Sequence, residues 1–88
     1  SATLMVEKLG NDIVLTDSQK VAIQKIAEEY IGKRQEANAL EEKEDALSMK
    51  MEAEKEYKRA LDLLLTDEQQ TKLQSKQEER KQNRQSSN

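Results

Sequence analysis

Cysteine, proline, histidine, phenylalanine and tryptophan are all absent from this 88-residue chain. Without cysteine there is no disulfide framework and no thiol chemistry. Without histidine the chain lacks the side chain that most often serves as general base or metal ligand near neutral pH. Glycine stands only at positions 10 and 32. A β-protein of this length needs several tight turns, and Gly and Pro usually supply them. Long apolar runs are missing too: no stretch approaches the roughly 20 residues that span a bilayer, so no membrane insertion is expected. A phosphate-cradling glycine loop is also lacking. With so few apolar residues no large pocket is expected, and nothing would bury one of the many carboxylates to raise its pKa. The chain is therefore expected not to be an enzyme and to carry no cofactor.

What remains is rich in Ala, Leu, Glu, Lys, Gln and Arg, the strong helix formers. Hydrophobic residues make up 34% and charged residues 38%, with Tyr30 and Tyr57 the only aromatics. The net charge is −3, from 15 basic and 18 acidic residues, a balance that predicts no attraction to nucleic acid or anionic lipid. Such a chain reads as all-α with narrow apolar stripes. One small helical domain is expected over residues 1–80, followed by a polar tail over 81–88 that fails to bury a core and should fray. A short chain buries little apolar surface by itself, so a homodimer would supply what one copy lacks.

Residues 2–9 suit a short first helix with Leu4, Met5 and Leu9 on one face, and Gly10 is a natural C-terminal stop. Thr16-Asp17-Ser18-Gln19 reads as a capping box, in which the Thr hydroxyl and the Gln side chain each serve a backbone N–H of the other. Ile23, Ile26 and Tyr30 then recur at helical spacing. A second stripe, Ala46, Met49, Ala53, Tyr57, Ala60 and Leu64, lies well round the helix from the first. Asn38 followed by Glu41 resembles a fresh N-cap, so the spacing predicts a helical hairpin turning near residues 34–39. The competing arrangement is one long bent helix over 17–64. Leu40, Leu47, Met51, Leu61 and Leu65 form a thinner stripe interrupted by Glu44, Glu54 and Lys58, which speaks against a regular leucine zipper.

Leu65-Thr66-Asp67-Glu68-Gln69 repeats Leu15-Thr16-Asp17-Ser18-Gln19 at an offset of 50 residues. Thr66 and Gln69 form a second capping box, and the chain should bend there into a further helix. Two Leu-Thr-x-x-Gln motifs, each after an apolar run, resemble those of the Spy/CpxP (LTxxQ) family of bacterial envelope chaperones and stress adaptors. The resemblance covers roughly residues 9–80, and its specific part is Leu15, Thr16 and Gln19 with Leu65, Thr66 and Gln69. It implies a periplasmic, all-helical and often dimeric protein that binds non-native client proteins without ATP or engages a stress-sensor domain. A chain opening at Ser1 rather than Met is expected to be either processed or trimmed, and the resemblance implies export, with the signal peptide absent from this sequence. This chain departs from the family in being shorter between the motifs and net acidic. It also lacks the histidines that would place it with metal-binding relatives.

Other features have plainer readings. Met5, Met49 and Met51 are thioethers suited to Cu(I), yet without Cys or His they are expected to fill irregular apolar surface. Glu41, Glu42, Glu44 and Asp45 form a solvated acidic face rather than a calcium loop. Lys55, Lys58 and Arg59 are offset by neighbouring glutamates. No catalytic or metal-binding residue is therefore assigned. A client or dimer surface is expected at Leu40, Leu47, Met49, Met51, Tyr57 and Leu61, among Lys43, Lys50, Glu52, Lys55 and Lys58. The alternative function is a structural coiled-coil or adaptor module with one fixed helical partner.

Overall fold

The computed structural model describes residues 1–86 and is all-helical across them, as the composition predicts. Its four helices are α1 (Ala2–Asp12), α2 (Asp17–Asn38), α3 (Lys43–Leu64) and α4 (Asp67–Ser86). The molecule is thin, with extents of 40 × 40 × 20 Å. The polar tail expected over residues 81–88 falls partly on residues 87–88, outside the described residues. Before them α4 continues as helix to Ser86.

α1 starts at Ser1, whose hydroxyl accepts from the Leu4 N–H at 3.2 Å. It does not stop at Gly10, contrary to the sequence expectation, but runs on to Asp12. The reason lies in packing. Leu9 and Ile13, one helical turn apart, are both buried, and Ile13 N–H closes the last turn on Leu9 O at 3.0 Å. Gly10 keeps a negative φ, so its freedom to adopt a left-handed stop is unused.

α2 and α3, 22 residues each, form an antiparallel hairpin. Ion pairing between Lys33 and Glu56 and stacking of Tyr30 on Tyr57 fix the register. Small side chains let the two backbones approach: Ala27, Ala37 and Ala53 are buried on the facing sides. The reversal lies between Asn38 and Lys43, later than the sequence placed it. Asn38 is the last residue of α2 rather than a new N-cap, and Glu42 opens α3 with no side-chain cap. Ala37, fully buried, draws α2 onward by another turn. Ala39 and Leu40 N–H groups then finish it on Glu36 and Ala37 carbonyls.

The core gathers where α1, both motif segments and the base of the hairpin meet. Leu9, Ile13, Leu15, Ile23, Leu61 and Leu65 are its buried members, and Val6, Ile26, Tyr57, Leu64 and Leu73 pack against them. Ile23 is 0% exposed. Truncating such a side chain removes its transfer energy and leaves a cavity, a loss of about 2–5 kcal/mol. α4 contributes little apolar surface beyond Leu73, and an ion pair between Arg80 and Asp12 joins it to α1.

Candidate functional site

The two Leu-Thr-x-x-Gln motifs meet. In the first, Gln19 N–H donates to the Thr16 hydroxyl at 3.1 Å and Thr16 N–H donates to Gln19 Oε1 at 3.0 Å. In the second, the same bonds join Gln69 and Thr66 at 3.2 and 2.9 Å. Both threonines therefore cap helices, α2 and α4. Each glutamine then uses its amide NH2 across the junction. Gln19 Nε2 donates to Leu64 O at 2.9 Å, and Gln69 Nε2 donates to Val14 O at 2.7 Å.

The two amides also bond each other. Gln19 Nε2 donates to Gln69 Oε1 at 2.8 Å, and Gln69 Nε2 donates to Gln19 Oε1 at 3.0 Å. Val14 and Leu64 occupy the same place relative to their motifs, so the arrangement is locally two-fold. One polar group in each motif thus serves three tasks: it satisfies a helix N-terminus, it satisfies a carbonyl of the other motif, and it pairs with its own counterpart. Leu15 and Leu65, the motif leucines, are buried beneath this lock. Gln70 adds a further tie, donating to Asp62 O at 2.9 Å at the end of α3.

The six residues expected on an interaction surface divide between two environments. Leu61 is buried in the core, and Tyr57 and Met49 are half-buried on the face of α3 turned to α2. Leu40, Leu47 and Met51 remain exposed, Leu47 at 59% and Met51 at 53%. Met49 and Met51, adjacent in the pattern, stand on different faces because two residues turn a helix by about 200°. Around Leu47 and Met51 the surface carries both signs of charge, including Lys43, Glu44, Lys55 and a Lys58–Glu54 pair at 3.3 Å. Leu4, expected on one face with Met5 and Leu9, is 47% exposed while Leu9 is buried, and three further exposed apolar side chains escaped the sequence reading: Leu63, 88% exposed, with Val14 and Val21. Leu63 and Val14 lie in apolar runs that look like core, and only the observed turn of α3 and the motif junction sets them outward.

At mid-hairpin the Tyr30 and Tyr57 rings stack tilted, 5.3 Å between centroids. Arg34 sits 5.6 Å from the Tyr30 ring centre and donates to its hydroxyl at 2.8 Å. Burial, with a smaller contribution from Tyr30, pushes the Tyr57 hydroxyl above the ordinary value of 10.0. The hydrogen bond to Glu56 holds the Lys33 ammonium above its usual range.

Among the described residues no group of three or more acidic side chains is placed to hold a metal ion. No described helix is long and apolar enough to cross a membrane. Fold and junction together define a small four-helix protein whose helices are tied by a repeated capping motif. Compared with models of protein families, with curated proteins and with solved structures, the chain has no match.

Proposed function

We propose that this protein is an ATP-independent chaperone-like protein of the bacterial periplasm, binding non-native proteins or a stress-sensor domain. The observation that carries the reading is the outward face of α3. Leu47 and Met51 stand exposed on it, with Leu40 in the turn just before it, among lysines and glutamates on a thin helical body. Exposed apolar groups set among mixed charges suit weak contact with many apolar segments, and flexible Met adapts to irregular surfaces. The paired Leu-Thr-x-x-Gln motifs support the same reading through the resemblance they carry. Thr16, Gln19, Thr66 and Gln69 are then scaffold rather than client contacts, because their polar atoms are spent on each other.

The same face favours a second reading. Leu47 and Met51 stand four residues apart, one helical turn, on the exposed side of α3, where a partner helix would cover them. That partner is a second copy in a homodimer or one fixed helix in an adaptor complex. Aggregation of an unfolding reporter protein, followed by turbidity without nucleotide, separates the two readings. Suppression near equimolar ratio supports the chaperone. Absence of suppression, with tight binding to a single helical partner, supports the adaptor.

A further inference from the structure

A second surface lies further along the molecule, at the core, where α1, α3 and α4 border an open cleft of about 570 Å³. Its floor is aliphatic: Met5 and Leu73 over the buried core residues Leu9 and Leu61, with Tyr57 at its side. Its rim is polar and unequal in charge. Asp12, the carboxylate among the lining residues, is paired with Arg80 and its side chain is only 10% exposed. The Arg80 side chain is 56% exposed. Lys8, also on the rim and exposed, forms no ion pair among the described residues. Among the lining residues, Lys8 and Arg80 outweigh Asp12, so their balance is positive in a chain whose net charge is −3.

We infer that this cleft binds a straight-chain fatty carboxylate, its chain over Met5, Leu9, Leu61 and Leu73 and its head on Lys8 and the outer edge of Arg80. Contrary to the sequence expectation of no large pocket, three helices form an open groove, apolar along its floor with a few polar groups at its rim. Unbranched Met5 adapts to the shape of an alkyl chain laid against the leucines. An anionic head meets two exposed cations and a carboxylate already covered. A cationic head meets the same two cations and is repelled.

Titration calorimetry of the full chain with decanoate, kept below its micelle-forming concentration, tests the inference, with decyltrimethylammonium as the head-group control. Saturable binding at one decanoate per chain is expected, with the cation about three- to tenfold weaker, the range of one or two partly exposed charge contacts. Lys8→Glu should erase that preference, and Met5→Asp should remove binding of both amphiphiles. Circular dichroism confirms that each variant keeps its helices. Leu47→Glu, on the face assigned to clients, should leave decanoate binding unchanged. Equal affinity for the two heads, non-saturable uptake, an inert Lys8→Glu substitution, or loss of decanoate binding on Leu47→Glu would each overturn the assignment.

Discussion

Gln19 and Gln69 each concentrate several obligations in one amide. Removing either leaves a helix N-terminus, a carbonyl of the other motif and the partner amide short of a bond. Leaving polar groups unsatisfied costs about 1–3 kcal/mol, so Gln19→Ala and Gln69→Ala should each destabilise by that amount in urea unfolding. Because each substitution already breaks the shared pair, the double variant should cost less than the sum, with a coupling of about 0.5–3 kcal/mol. Additive losses would mean that the two amides do not act together. Thr16→Ala and Thr66→Ala each remove only a cap and should cost about 1 kcal/mol, the usual loss at an N-cap. Tyr57 offers a spectroscopic check. Its hydroxyl titrates above 10.0 because burial disfavours the phenolate. The group therefore stabilises the fold fully below pH 10, and this contribution is lost as pH rises through the higher folded value. Phenolate absorbance should show a step above 10.0, and Tyr57→Phe should abolish it.

Among the elements, the sequence was legible where local chemistry decides and opaque where packing decides. Both capping boxes were readable, because a Thr and a Gln three residues apart serve the same turn. The inward stripe of α3 was readable as well: Ala53 is buried, and Met49, Tyr57 and Leu64 are half-buried along it. Helix ends were harder. Gly10 looks like a stop, yet Ile13 needs the turn that carries it into the core. Asn38 and Glu41 look like a cap, yet the burial of Ala37 keeps α2 going. The bonding of one motif to the other was hidden, since local spacing says nothing about partners 45 to 55 residues away. The equal motifs at an offset of 50 were the one signal of it. The α1/α3/α4 cleft had no signal at all, because its lining comes from three separate helices.

Taken whole, the molecule is a thin body with one small core and apolar side chains left outside it. A chain of this size buries a modest share of its surface, and pairing through the outer face of α3 would cover Leu47 and Met51. Light scattering at tens of micromolar should then report twice the chain mass, whereas a strict monomer would leave that face to clients alone. The central claim is that this face binds non-native protein. Its most direct test is a Leu47→Glu/Met51→Glu double variant, compared with the unaltered chain for suppression of reporter aggregation. Both residues are exposed, so helicity by circular dichroism should be retained and dimer mass is read alongside. The account predicts that the unaltered chain suppresses aggregation near equimolar ratio and that the folded variant does so several times less well. Equal suppression by the two, or none by the unaltered chain, would contradict it.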